Sequence, residues 1–287
     1  MRSFNNEKDL RFSICFISLP FFILEVAAAI IDEAEPNDTS VNAQLIERNN
    51  HDPAQMINGN NASQKVLVGN LSSATDEDWY QVYLPANPET YLSINGQTGP
   101  IFKFEIFDAT LGQIFEEDYS KDPSFIGAFP YEFNVSTAGI YYVKVSSVFG
   151  TGGDYRFTVG SPNYTVDSYE YTAATPLTLT TSINTAQGTY DLRHIADVPK
   201  KAIVYQVTFG GTKVNSATSE YRRIKLAADS SWINTSSYSW IANIPAVQNK
   251  AFHSQWSVQL QGKVSNSTKL YSLTPKLRFS YFYPIIP

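Results

Sequence analysis

The sequence predicts an all-β protein built as two β-sandwich, jelly-roll-like domains in tandem, and three observations carry that prediction. Short runs of alternating apolar and polar residues recur between clusters of Gly, Pro and Asn, and no long stretch has a helical period. Aromatic residues make up 14% of the chain, with 18 Tyr and 18 Phe, whereas charged residues make up only 17%; such side chains suit a pleated, half-buried surface. The charge also changes sign along the chain. Residues 30–160 hold 18 Asp and Glu against 6 Lys and Arg, while residues 161–287 hold 6 against 12. The net charge of −6 therefore conceals two halves of opposite sign, divided near Gly160-Ser161-Pro162. At 287 residues and 43% hydrophobic, the chain can fill sizeable cores and is too apolar for disorder.

Residues 1–29 read as a secretory signal peptide. Arg2, Lys8 and Arg11 lead into a mostly apolar run from Phe12 to Leu24, and Val26-Ala27-Ala28-Ala29 offers small residues for cleavage. The run is short and broken by Pro20, so no membrane span is expected after cleavage. Cys15, the single cysteine, lies within it, which leaves a mature chain without thiol or disulfide. The expected location is secreted or at the cell surface. Seven Asn-x-Ser/Thr triplets, at Asn37, Asn61, Asn70, Asn134, Asn163, Asn234 and Asn266, are weak glycosylation signals in a chain so rich in these residues.

Residues 30–160 then give the first sandwich. "WYQVYLP" places Tyr80, Val82 and Leu84 on one face; "IFKFEIFD" does so for Phe102, Phe104 and Ile106. "GIYYVKVSS" groups Tyr141, Val143 and Val145, and "GDYRFTVG" groups Tyr155, Phe157 and Val159. Period-two alternation puts one face in a core and the other in water, as antiparallel sheets require. Residues 161–287 give the second sandwich. "KAIVYQVTFGGT" predicts Ile203, Tyr205 and Val207 on a common face, ending in a turn at Gly210-Gly211; "QWSVQLQGKV" and "KLRFSYFY" alternate similarly.

The start of the first domain is chemically distinctive. Asp32, Glu33, Glu35, Asn37 and Asp38 crowd into seven residues, and Asp76 and Asp78 open a later strand. Glu33, Glu35 and Asn37 alternate, so an extended segment would project them to one side. Calcium takes six to eight hard oxygens of this kind, and two acidic segments could close one site. The same residues could instead form a solvated acidic tail.

Three stretches resemble the bacterial pre-peptidase C-terminal domain, a small β-sandwich appended to secreted proteases. They are "EAEPNDT" from Glu33, "GNLSSATDEDWYQVYLP" from Gly69 and "STAGIYYVKVSSVFGTGGDYRFTV" from Ser136. The resemblance covers roughly residues 32–160 and extends to related collagen-binding domains of clostridial collagenases, in which the corresponding acidic segment helps bind calcium. It implies Ca2+ ligands at Glu33, Glu35, Asn37 and Asp38, with Asp76 and Asp78 from the later turn. The second half has no such resemblance.

Catalysis is not expected. No Gly-x-Ser-x-Gly elbow and no His-Glu-x-x-His motif occurs, and His51, His194 and His253 lie far apart in sequence. Asp191, His194 and Asp197 are the nearest thing to a polar cluster and read as loop polarity. Trp232 and Trp240, in a Ser/Thr/Asn-rich stretch, are the candidate ligand-binding aromatics, since exposed rings stack on sugars and anchor interfaces; core packing is the plainer reading of most Trp residues here. Lys200, Lys201, Arg222, Arg223 and Lys225 could favour an anionic polysaccharide or dock against the acidic half. Nucleic acid is an unsuitable partner at a pI near 5.1 and without a reader motif. The sequence thus predicts a secreted, non-catalytic, calcium-stabilised protein that attaches to an extracellular polymer, either protein fibre or polysaccharide. The alternative is a secreted hydrolase, peptidase or glycosidase, with its active site in the second domain.

Overall fold

The computed structural model describes residues 27–266 and 269–287. The segment read as a signal peptide lies, up to residue 26, outside the described residues. The protein is almost wholly β, as the sequence predicts.

The first half forms β1 (Ala29–Asp32), β2 (Gln44–Leu45), a single helical turn α1 (Pro53–Met56), β3 (Lys65–Leu71), β4 (Glu77–Leu84), β5 (Asn87–Gly96), β6 (Ile101–Asp108), β7 (Gln113–Ser120), β8 (Phe129–Val135), β9 (Gly139–Phe149) and β10 (Gly153–Gly160). These make two five-stranded sheets, ordered β1-β3-β10-β5-β8 and β2-β4-β9-β6-β7. The alternating residues picked out in the sequence meet between them. Tyr80, Val82, Phe102, Phe104 and Val143 from one sheet pack on Leu92, Ile94, Tyr155 and Phe157 from the other. Edge-to-face rings tie the layers, Phe104 to Phe157 at 5.8 Å and Tyr80 to Phe157 at 5.4 Å. Two short strands depart from the antiparallel expectation: β1 joins β3 and β2 joins β4 in parallel.

The second half forms β11 (Asn163–Thr172), β12 (Leu177–Leu179), β13 (Thr185–Asp191), β14 (Ile203–Val214), β15 (Thr218–Leu226), β16 (Ile233–Asn234), β17 (Ile241–Asn243), β18 (Gln255–Lys263) and β19 (Tyr271–Ile285). One sheet runs β11-β19-β14-β17, with β12 also on β19; the other runs β13-β18-β15-β16. Their shared core contains Val207, Phe209, Leu273, Phe279 and Trp256. Trp256 is fully buried, donates to the Phe252 carbonyl at 3.2 Å and lies 5.4 Å from the Phe279 ring.

Two expectations for β14 fail for identifiable reasons. Ile203, Tyr205 and Val207 do not share a face, because the register against β19 slips between Val204 and Gln206. The extra residue reverses the alternation, so that Val204, Val207 and Phe209 are the buried positions. Nor is Gly210-Gly211 a turn: the strand runs through it to Val214 and leaves only at Asn215, where φ is 62°. Gly211 has φ 138°, and a Cβ there would lie 2.1 Å from the Thr274 oxygen, so close backbone approach explains the glycine.

Only Ser161 and Pro162 separate β10 from β11. Asn49 donates to the Ser161 carbonyl at 2.8 Å and to Asn163 Oδ1 at 3.1 Å, and the Tyr164 amide donates to His51 Nδ1 at 3.1 Å. Burial lowers the His51 pKa, which keeps that nitrogen available as an acceptor. Lys201 reaches Glu89 at 3.0 Å on the exposed rim.

Trp256→Ala should destabilise the second core by about 3–5 kcal/mol through lost burial and an unfilled cavity. A denaturant titration of the variant beside the parent protein reads this directly.

Candidate metal centre

Strand β1 stops at Asp32, and the acidic run beyond it is irregular chain rather than a continued strand. The alternating oxygens converge nevertheless. The Glu33 amide still donates to the Val68 carbonyl at 3.0 Å, and the Trp79 amide donates to the Asn37 carbonyl at 2.8 Å. These two backbone bonds lash the run between β3 and the start of β4. Carboxylate oxygens of Glu33, Glu35 and Asp78 lie within 4.8 Å of one another, as do those of Glu35, Asp38 and Asp76. All six side chains named from the sequence therefore belong to one locality, with Glu35 common to both groups.

Within it the residues differ in exposure. Asn37 and Asp78 are fully buried, Glu33 and Asp76 half-buried, and Glu35 and Asp38 exposed. Asn37 donates from its side chain to Glu33 Oε1 at 3.4 Å and from its backbone to Glu35 Oε2 at 2.9 Å. Asp76 accepts from the Ser72 amide at 2.6 Å, and Glu33 Oε2 accepts from the Asn70 amide at 2.8 Å.

Two tyrosines that the sequence marked only as core residues complete the cluster. Tyr80 donates its hydroxyl to Glu33 Oε1, and Tyr155 donates to Asp78 Oδ2 at 2.5 Å. The two hydroxyls lie 2.5 Å apart. Burial pushes both phenols far above the ordinary tyrosine range, so they remain protonated. The available signal was that a Tyr inside an apolar alternation needs a partner for its hydroxyl. Gly69 belongs to the same arrangement. It lies opposite Tyr155 in the β3–β10 ladder, and a Cβ there would come 2.5 Å from the Tyr155 hydroxyl oxygen. The glycine gives the ring room to reach the carboxylates.

The donor set fits a hard cation. Every candidate ligand atom is an oxygen, which suits calcium and disfavours softer metals. Among the described residues, three buried side-chain polar atoms lack a hydrogen-bond partner, and two of them, Asn37 Oδ1 and Asp78 Oδ1, are here. An unpaired buried oxygen costs about 1–3 kcal/mol, and more when it carries charge. Burial also raises the Asp78 pKa from 3.8 to about 8, opposed by the Tyr155 hydrogen bond and reinforced by the Glu33 charge.

The two tryptophans are not brought together. Alternate residues of a strand project to opposite faces. Trp232 lies against Arg223 and Lys225, with the cations 4.9 Å and 5.2 Å from its ring centroid. Trp240 lies against Arg222, at 4.1 Å, and so on the inner side of β15. Trp240 packs against the second core and is also covered by Lys213 at 5.5 Å. Arg222 is buried and committed to Glu220 at 2.5 Å, which removes it from the cations open to a partner. Asp191 pairs with Arg193 at 2.6 Å rather than with His194.

No family model and no curated protein matches the chain. Its fold is similar to that of a secreted-protein candidate from Eubacterium rectale, at 13% identity and a TM-score of 0.59, covering 99% of this chain and 88% of that one. At such identity the likeness concerns the fold, over both sandwiches. Structures of a Sulfolobus turreted icosahedral virus and of the infectious bursal disease virus VP2 subviral particle share far less. The first gives 12% identity and a TM-score of 0.26 over 77% of this chain and 61% of that one. The second gives 10% identity and 0.27 over 77% and 67%.

Without divalent cations, stability should fall as pH rises. The folded pKa of Asp78 lies above its unfolded value, so its contribution is present below about pH 4 and is lost as pH passes through about 8. The slope is limited to one proton, roughly 1.4 kcal/mol per pH unit. Chemical unfolding in EDTA at pH 5 to 8 measures it, and Asp78→Asn is expected to flatten the profile.

Proposed function

We propose that the protein is an exported, non-catalytic attachment protein whose first sandwich is a calcium-clasped module of the pre-peptidase C-terminal type. The observation that carries the reading is the pair of buried, partnerless oxygens, Asn37 Oδ1 and Asp78 Oδ1, inside the cluster of acidic side chains. A cation there offsets the mutual repulsion of Glu33, Glu35 and Asp78 and supplies what those two oxygens lack. Glu33, Glu35, Asn37, Asp38, Asp76 and Asp78 are the residues that would hold it, with Asn37 and Asp78 buried and Glu35 and Asp38 exposed. The ion would serve structure, pinning the N-terminal strand to the sandwich.

Export is supported by the signal-like residues 1–29 and by the secreted-protein candidate that shares the fold. Among the described residues no helix is long and apolar enough to cross a membrane. Attachment to an extracellular polymer is supported by the aromatic and basic residues of the second half, Trp232 with Arg223 and Lys225 among them.

Thermal unfolding in EDTA and then in millimolar calcium tests the clasp. A ligand bound only by the folded state adds about 2.7 kcal/mol at a hundredfold excess over Kd. For a sandwich of this size that is an upward Tm shift of several degrees. Glu35→Ala with Asp38→Ala should abolish the shift. An unchanged Tm in the parent protein would overturn the clasp and leave the cluster held by its tyrosine and backbone hydrogen bonds alone.

A further inference from the structure

The outer face of the β13-β18-β15-β16 sheet is built differently from any other surface described above. Its inward residues, Trp256, Val258, Leu260 and Ile224, fill the second core. The register aligns Gln187, Gln259 and Arg223 in one row across three strands, with Gln187 exposed, Arg223 half-buried and Gln259 buried between them. The row is hydrogen-bonded in a fixed direction. Arg223 Nε donates to Gln259 Oε1 at 2.8 Å, Gln261 donates to the same oxygen at 2.9 Å, and Gln259 donates to Gln187 Oε1 at 3.5 Å. Gln187, accepting at its oxygen and exposed to solvent, keeps its own N–H donors for another acceptor. Trp232 lies beside this row, its ring fixed by Arg223 and Lys225.

The charge on the face is one-sided. Arg223 and Lys225 are held by neutral acceptors, the Gln259 amide and the Asp229 carbonyl. The nearby acids are already paired, Asp191 with Arg193 at 2.6 Å and Asp229 with Lys250 at 2.8 Å. A sheet face offering the Gln187 amide donors, a half-buried indole and two cations without carboxylate partners is complementary to a chain of sugars bearing carboxylates. The indole stacks on a pyranose face, the guanidinium pairs with a carboxylate, and the amides take ring hydroxyls.

We propose that this sheet face binds an acidic, uronate-containing polysaccharide through Trp232, Arg223, Lys225 and Gln187, with the buried Gln259 and its neighbour Gln261 holding Arg223 and Gln187 in place. The inference rests on the attachment reading above and narrows its polymer to one class and one surface.

Affinity electrophoresis of the full mature chain in calcium tests it, with hyaluronan, soluble polygalacturonate fragments, carboxyl-reduced hyaluronan and, by co-sedimentation, fibrillar collagen. Retardation by a uronate polymer is expected, weakening with added salt and absent from the carboxyl-reduced form. Trp232→Ala should weaken it about tenfold. Gln187→Glu, a change on an exposed edge strand that leaves folding intact, should do likewise by setting a negative charge in the ligand's path. Retention by neither uronate polymer, or equal retention of the two variants and the parent, overturns the proposal. Binding to collagen or to the carboxyl-reduced polymer that ignores both variants overturns it while sparing the attachment reading. Failure to bind any of the four overturns both.

Discussion

Carboxylates cannot be crowded together away from water without a compensating charge or proton, and the first sandwich is arranged around that constraint. Glu33 enters at the end of β1, Asp78 sits fully buried in β4, and Tyr155 comes from β10 on the opposite sheet. Their contact therefore spans both layers and the N-terminal segment at once. The tyrosine hydroxyls meet part of the demand by donating to Glu33 and Asp78, but two buried oxygens are left over. Gly69 makes the arrangement possible by giving up its side chain beneath the Tyr155 ring. A cation, in the reading proposed, completes what the hydroxyls begin and locks a parallel strand of only four residues.

How far this could be foreseen depends on what each signal encodes. Strict alternation in "IFKFEIFD" marks a strand whose buried residues are those expected, because period two records burial directly; in "GDYRFTVG" the expected Tyr155, Phe157 and Val159 are buried, but so are Thr158 and Gly160. The same rule misled at "KAIVYQVTFGGT", where a one-residue slip opposite β19 inverts the faces. Such a bulge is set by the partner strand and leaves no mark in the local pattern. Gly210-Gly211 was misread similarly, since a glycine required by a neighbouring backbone looks like one required by a turn.

The acidic cluster of the first sandwich is more legible than the outer sheet face of the second for a comparable reason. Two dense acidic segments announce themselves in sequence; Glu33, Glu35, Asp38, Asp76 and Asp78 do gather in one place, and Asn37 joins them through its hydrogen bonds to Glu33 and Glu35. Tyr80 and Tyr155 did not stand out, because core tyrosines follow the alternation of their apolar neighbours. Trp232 and Trp240 were paired by proximity in sequence, yet they lie on opposite sides of β15. The row of Gln187, Gln259 and Arg223 in the second sandwich comes from three strands widely separated along the chain, and only the register aligns it. Arg222 shows the converse: an apparent surface cation is consumed inside by Glu220, Phe209 and Trp240.

The central claim is that the acidic cluster of the first sandwich holds a calcium-like cation beside Tyr80 and Tyr155. Terbium luminescence tests it most directly, because this ion takes the same oxygen ligands and emits when excited through a neighbouring aromatic ring. The account predicts tyrosine-sensitised emission that saturates at one ion per chain, is displaced by calcium and is lost in Asp78→Asn. Absence of sensitised emission, or emission unchanged by Asp78→Asn, would contradict it.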